Sequence, residues 1–190
     1  EGGGHPDPTP EGARATEELL ELAESADERT LVLAVVTGGS SALLAAPAGD
    51  LSVGDLRRSG RALLNAGAGI EEINAVRKHT SRVKGGQLAA AAAPATVVTL
   101  AVSDVVGDPP SVIGSGPTAP DATTYVDALD VFSRYGVDVP AVREHLEAGD
   151  AGEFLETPRP DQPAVADVPT HVVAGNRTAI DAAATAATDR

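Results

Sequence analysis

The run Leu31-Val-Leu-Ala-Val-Val-Thr37 is almost continuously apolar and rich in β-branched side chains. Residues 97–102 and 171–174 have the same character. Strands that face water on one side alternate apolar and polar residues, whereas strands covered on both faces do not. We therefore predict three strands that are covered on both faces within a sheet.

Helical patterns flank and separate these predicted strands. They occupy residues 11–26, 55–66, 71–84, 87–93, 124–135, 140–148 and 178–187. Helices that alternate with buried strands predict an α/β fold with a mostly parallel sheet. The Pro-rich segment 157–169 is interpreted as a linker before the last strand and helix.

Composition restricts the classes of function. The chain has 190 residues, enough for one compact domain, carries a formal net charge of −14 and contains no Cys, which excludes thiolate chemistry in this chain. The acid excess and the scarcity of Lys disfavour nucleic acid and anionic membranes as partners. The longest apolar stretch, residues 88–102, is too short to span a membrane and is broken by Pro94, so we expect a cytoplasmic protein.

Two further features concern the origin of the chain. Its acid-rich, Lys-poor composition is typical of proteins from salt-loving archaea, although a high-GC bacterium gives part of the same bias. It begins Glu-Gly-Gly-Gly rather than with Met, so we expect a segment of a longer protein.

Both lysines of the chain fall in the run Asn74-Ala-Val-Arg-Lys-His-Thr-Ser-Arg-Val-Lys-Gly-Gly86. If this run is one helix, its polar and basic side chains share a sector of roughly 120°. These side chains are Asn74, Arg77, Lys78, Ser81 and Lys84. The pattern predicts an anion-binding face, and the alternative is a solvated basic helix face.

Glycines and hydroxyls follow the first predicted strand. Gly38, Gly39, Ser40 and Ser41 form a strand-to-helix turn whose free N–H groups are suited to a phosphate or a carboxylate. An ordinary tight turn is the alternative.

Polar residues also follow the other two predicted strands. Asp104 and Asp108 come after the second strand, where they could hold Mg²⁺ or accept a proton from an attacking hydroxyl, although turn-capping Asp residues have the same pattern. Ser115 and Gly116 suggest a second anion site. Asn176 and Arg177 follow the third strand and could orient a polar substrate, and Asn176 could instead be an N-cap.

Two nucleotide-binding motifs are missing from this chain. No Gly-x-Gly-x-x-Gly follows a strand, and no Gly-x4-Gly-Lys-Ser/Thr occurs. The chain therefore has neither the standard dinucleotide fingerprint nor a P-loop.

Six motifs occur in a fixed order along almost the whole chain. They are Gly4-His-Pro-Asp-Pro8, Thr37-Gly-Gly-Ser-Ser-Ala-Leu43, Asn74-x-x-Arg-Lys-His-x-Ser-x-x-Lys-Gly-Gly86, Ser103-Asp-Val-x-Gly-Asp108, Ile113-Gly-Ser-Gly-Pro-Thr118 and Asn176-Arg177. In this order they resemble the glycerate 2-kinase family, whose members carry a carboxyl-terminal MOFRL domain and are often labelled hydroxypyruvate reductase.

The resemblance implies ATP-dependent phosphorylation of D-glycerate at its 2-hydroxyl, with Mg²⁺, in a cleft between a Rossmann-like three-layer domain and the MOFRL domain. Residues 1–190 then form part of the first domain, with a sheet that is incomplete at both ends and with the MOFRL domain outside this chain.

Within this hypothesis, Lys84 and Arg77 clamp an anion with help from Lys78. Asp104 and Asp108 hold Mg²⁺ or orient the glycerate hydroxyl. The remaining candidate substrate- or phosphate-binding residues are Gly38, Gly39, Ser40, Ser41, Asn74, Ser81, Ser115, Gly116, Asn176 and Arg177.

Two other functions stay open. One is an NAD(P)H-dependent hydroxypyruvate reductase, and the missing dinucleotide fingerprint argues against it. The other is a non-catalytic fragment that binds an organic anion. A homo-oligomer is compatible with either function and with the kinase.

Overall fold

The computed structural model describes residues 4–188, and they form an α/β fold around a three-stranded parallel sheet. The strand order is β1 (Leu31–Thr37), β2 (Thr96–Val102) and β3 (Thr170–Ala174). Leu31 pairs with Thr96 and Thr37 with Val102, so the carboxyl ends of β1 and β2 lie side by side. The predicted fold class and all three strands are confirmed.

Nine α-helices accompany this sheet within residues 4–188. They are α1 (Pro10–Glu24), α2 (Ser40–Leu43), α3 (Val53–Asn65), α4 (Ile70–His79), α5 (Gln87–Ala92), α6 (Tyr125–Arg134), α7 (Pro140–Asp150), α8 (Pro163–Ala166) and α9 (Asn176–Thr188). No helix within residues 4–188 has the length and apolar character needed to cross a membrane.

The prediction that every strand is covered on both faces is wrong for β1. Leu31, Leu33 and Val35 on one face of this strand are 56–66% exposed. Residues of β3 are also largely exposed. Both strands lie at an edge of the three-stranded sheet, and within residues 4–188 no element covers these apolar side chains.

The predicted helix 71–84 ends at His79, five residues early. Residues 80–82 leave the helix and bond to the segment after α2, where the Ala48 N–H donates to Thr80 O and the Arg82 N–H donates to Ala46 O. The Thr80 hydroxyl also donates to Val76 O, which competes with continued helix formation. Lys84 therefore lies in a separate turn.

The Pro-rich segment 157–169 is packed against the body of the protein rather than being a linker. Thr157 is 4% exposed, and Val165 of α8 is 2% exposed. Val165 belongs to a buried cluster with Leu20, Leu88 and Val97, which joins α1, α5 and β2. The segment thus completes one side of the core.

A second buried cluster joins α3, α4, α6 and α7, and its largest fully buried members are Phe132, Leu63, Ile73 and Leu146. Helix α4 belongs to this cluster, while the residues after it bond to the loop beyond β2. The Gly85 N–H donates to Ser115 O, and the Gly86 N–H donates to Gly116 O. This arrangement fixes the end of α4 beside the carboxyl edge of the sheet.

Candidate active site

A cavity of about 350 Å³ lies between α3, the end of α4 and the turn that follows β1. Segment 6–8 forms another part of its wall. Its charged lining comprises Asp7, Arg57, Arg61, Arg77 and Lys84. Because four basic groups accompany one carboxylate in a chain of net charge −14, the cavity is suited to an anion.

Lys84 lines this cavity and is only 4% exposed. Its Nζ donates hydrogen bonds of 2.7 Å to the carbonyl oxygens of Ser41 and Leu44. Burial, assisted by the nearby charge of Arg77, lowers the pKa of Lys84 to about 7. An ammonium group has three N–H donors, so one remains for a ligand.

Arg77 lines the same cavity and is half-buried. Within residues 4–188 its guanidinium makes no hydrogen bond and no ion pair, whereas that of Arg61 pairs with Asp7. Burial lowers the pKa of Arg77. The structure therefore brings Arg77 and Lys84 together, with unused donors on both.

Lys78 is directed away from this cavity, contrary to the predicted shared face. Its Nζ lies 3.0 Å from Asp121 Oδ1, and both side chains are buried. Ser81 also lines a different cavity, together with Lys78. The shared face fails because adjacent residues of a helix point about 100° apart and because Ser81 lies beyond the end of α4.

Asn74 is buried and connects α4 to the two serine-bearing loops. Ser115 Oγ donates to Asn74 Oδ1 over 2.8 Å, and Ser41 Oγ lies 2.6 Å from Ser115 Oγ. The Asn74 Nδ2 group has no hydrogen-bond partner within residues 4–188. Ser40 donates to Thr37 O. The three hydroxyls are therefore engaged within the protein: those of Ser41 and Ser115 with side chains, and that of Ser40 with the backbone.

Gly38, a predicted site residue, and Gly114, which precedes the predicted Ser115, permit close approach of other groups. A Cβ at Gly38 would lie 2.5 Å from Asp104 Oδ2, and a Cβ at Gly114 would lie 2.5 Å from Ser40 Oγ. Gly114 also has a φ of +61°. Gly39 and Gly116 have positive φ as well, which suits glycine at both turns.

The carboxyl edge of the sheet gathers Asp104, Asp108 and Asn176. Asp104 packs on Gly38 after β1, while Asp108 lies within 3.0 Å of a Cβ built at Gly175 after β3. Asn176 Nδ2 donates to Asp104 O over 3.0 Å. Asn176 is the first residue of α9, so its side chain links two strand ends rather than capping the helix.

Arg177 does not join this group. It is exposed, and its Nε lies 2.9 Å from Asp181 Oδ1 one turn further along α9. The expectation that it orients a substrate has no support from this arrangement, since the side chain follows the helix surface.

The two aspartates meet the requirements of a Mg²⁺ site only in part. Within residues 4–188 neither carboxylate has a side-chain hydrogen bond or an ion pair, and no cluster of three metal-ligating side chains occurs. Mg²⁺ is often bound by one or two carboxylates together with substrate phosphates. Free carboxylates at Asp104 and Asp108 fit that mode of binding.

The turn after β1 joins the cavity to the sheet edge. Gly38 at its beginning contacts Asp104, and the carbonyl oxygens of Ser41 and Leu44 accept from Lys84. The basic cavity and the acidic edge are thus two sides of one short segment.

Sequence reasoning missed several residues of this site. Arg57, Arg61 and Asp7 line the cavity, but no motif connected them with the basic run. The His5 ring also approaches the turn after β1 and lies 3.4 Å from a Cβ built at Gly39. The only sequence feature that pointed to residues 5–8 is the Gly4-His-Pro-Asp-Pro8 motif.

Comparisons with known proteins connect this geometry to a family. Residues 1–147 match the family described as "Domain of unknown function (DUF4147)". A glycerate 2-kinase from Pyrococcus horikoshii is 40% identical over 184 residues, which cover 95% of this chain and 41% of that protein. A protein from Agrobacterium vitis, provisionally named hydroxypyruvate reductase, is 43% identical over 186 residues, covering 97% of this chain and 41% of its own length.

A solved structure agrees with these relatives. The crystal structure of a glycerate kinase from Thermotoga maritima superposes with a TM-score of 0.84 at 37% identity. The superposition covers 98% of this chain and 43% of that one. The chain thus spans about two fifths of the length of the relatives that it matches.

Proposed function

This chain belongs to the DUF4147 family, and from that premise we propose that the whole protein is a glycerate 2-kinase, which transfers a phosphoryl group from ATP to the 2-hydroxyl of D-glycerate. The observation that carries the proposal is the basic cavity with Lys84 and Arg77, which the segment after β1 connects to Asp104. The sequence of this chain contains no Gly-x-Gly-x-x-Gly after a strand, which favours the kinase over an NAD(P)H-dependent reductase.

Phosphoryl transfer depends mainly on positioning and on stabilisation of negative charge. Arg77 and the unused N–H of Lys84 would bind an anionic group, which is either the glycerate carboxylate or a phosphate. Because Lys84 is buried and Arg77 is half-buried, their charges interact with the anion more strongly than fully exposed charges do. The turn after β1 holds Lys84 in this position through two carbonyl oxygens.

The acidic edge would complete the reaction site. Asp104 would orient the 2-hydroxyl of glycerate and accept its proton, because its carboxylate is exposed and has no hydrogen-bond partner within residues 4–188. Alternatively, Asp104 and Asp108 would together hold Mg²⁺, which neutralises the phosphates of ATP when it is bound. Asn176 would fix the backbone at Asp104 through its 3.0 Å hydrogen bond.

The proposal is tested by incubating the full-length protein with D-glycerate and Mg-ATP, and in a second reaction with hydroxypyruvate and NADH. We expect ADP and a phosphorylated glycerate in the first reaction and no oxidation of NADH in the second. Consumption of NADH without formation of ADP would support the reductase. If neither reaction proceeds but calorimetry detects glycerate binding, a non-catalytic anion-binding protein is the better description.

A further inference from the structure

Arg57 is a cavity residue to which sequence reasoning assigned no role. It is half-buried on α3, and its Nη2 donates to Pro8 O over 2.7 Å. Its Nε is fully buried and has no hydrogen-bond partner within residues 4–188. A buried N–H without an acceptor is costly, so such a group calls for a ligand or an ordered water.

The other basic groups of the cavity show which donors are still unused. Arg61 is occupied by an ion pair with Asp7. Arg77 has no partner within residues 4–188, and Lys84 retains one N–H. Arg57, Arg77 and Lys84 therefore line one cavity of about 350 Å³ with unused donors on all three.

We infer that Arg57 is a third oxyanion-binding residue, whose Nε–H donates to a carboxylate or phosphate oxygen of the ligand held by Arg77 and Lys84. The inference rests on the proposed function and narrows its substrate class to a small acid with several acceptor oxygens. Three donors from three segments suit such an oxyanion better than they suit a neutral sugar or alcohol. Arg57 would therefore strengthen binding of the anionic substrate.

Arg57 has a second contact that an experiment must separate from binding. Segment 6–8, which we call the amino-terminal strap, is held to α3 by Arg57 through Pro8 O and by Arg61 through Asp7. A variant without Arg57 could bind the ligand more weakly for an indirect reason, namely that the strap is released from α3. Asp7 distinguishes the two explanations, since its removal also releases the strap but takes a negative charge out of the cavity.

The experiment is calorimetric titration of the full-length protein with D-glycerate and, separately, with inorganic phosphate. We expect Arg57→Gln to weaken binding of at least one ligand by about 10-fold or more, the typical effect of losing a hydrogen bond to a charged group. Asp7→Asn should bind as tightly as the natural protein or more tightly. Arg58→Gln is the matched control, because Arg58 is exposed and pairs with Asp55 outside the cavity.

Three results would overturn the inference. They are unchanged affinity in Arg57→Gln, an equal loss in Asp7→Asn, and no binding of either ligand by the natural protein. If Arg57→Gln fails to fold by circular dichroism, Arg57→Lys replaces it, because Lys can still reach Pro8 O but lacks the Nε–H. Arg57-dependent binding without formation of ADP would refute the kinase and leave the inference intact.

Discussion

Replacement of Lys84 by Ala is expected to lower the turnover of the full-length enzyme by a factor of about 10²–10³, which corresponds to about 3–4 kcal/mol of transition-state stabilisation. The change removes a buried positive charge from the cavity that contains Arg77. It also removes both hydrogen bonds that hold the carbonyl oxygens of Ser41 and Leu44. Steady-state kinetics with D-glycerate and ATP would measure the loss.

Two further variants separate charge from packing at Lys84. Lys84→Met keeps most of the side-chain volume, so it should be as inactive as Lys84→Ala if the ammonium is what matters. Arg14→Ala is the control, since Arg14 is an exposed residue of α1 that pairs with Glu11. Near-normal turnover in Lys84→Met, with a native circular dichroism spectrum, would remove Lys84 from the mechanism.

Replacement of Asp121 by Ala is expected to lower the free energy of unfolding by about 3–5 kcal/mol, because it leaves the Lys78 ammonium buried without its partner. Asp121 is fully buried, lies 3.0 Å from Lys78 Nζ and also accepts from Thr123 and Thr157. Urea unfolding followed by circular dichroism would measure the change. Asp130→Ala, an exposed substitution on α6, should change stability by less than about 0.5 kcal/mol.

A double variant and a pH series test the cause of this effect. Lys78→Met combined with Asp121→Ala should recover part of the loss, since no unpaired charge remains. Burial alone raises the pKa of Asp121, but the charge of Lys78 and the Thr123 hydrogen bonds outweigh it, so the net pKa is lowered. The stabilisation is therefore present above the ordinary Asp pKa and is lost as the pH falls through the lowered value. A double variant as unstable as Asp121→Ala would contradict the ion-pair explanation.

The strands could be predicted from sequence because their signal is local. Residues 31–37, 97–102 and 171–174 differ from the observed strands by at most one residue at either end. The exposure of Leu31, Leu33 and Val35 was not predictable, since it depends on which elements cover the sheet. Apolar composition indicates that a face must be covered but not by what.

The basic run could be predicted only in part, because helical periodicity assumes that the helix continues. Arg77 and Lys84 do share a cavity, although Lys84 reaches it from a turn and not from α4. Lys78 is adjacent to Arg77 in sequence, yet its partner Asp121 lies 43 residues away. No spacing rule connects residues at that separation.

The other residues that line the cavity could not be predicted from the sequence, for a similar reason. Arg57 and Arg61 lie on α3, and Asp7 lies before α1, so the three meet only through tertiary packing. Asp104 and Asp108 were predictable because the carboxyl ends of parallel strands share one edge of a sheet. Sequence thus indicates groups that follow strands more readily than groups on distant helices.

The measurement that tests the central claim most directly is the number of protons taken up when D-glycerate binds to the full-length protein at about pH 8. The pKa of Lys84 is about 7 without a ligand, so the side chain is mostly neutral at this pH. A bound anion favours the charged ammonium and raises this pKa, so binding must take up protons. Titrations in buffers of different ionisation enthalpy count them. We expect uptake approaching one proton at about pH 8, little uptake at about pH 6, and none at either pH in Lys84→Met. Binding without proton uptake at about pH 8, or equal uptake in Lys84→Met, would contradict this expectation.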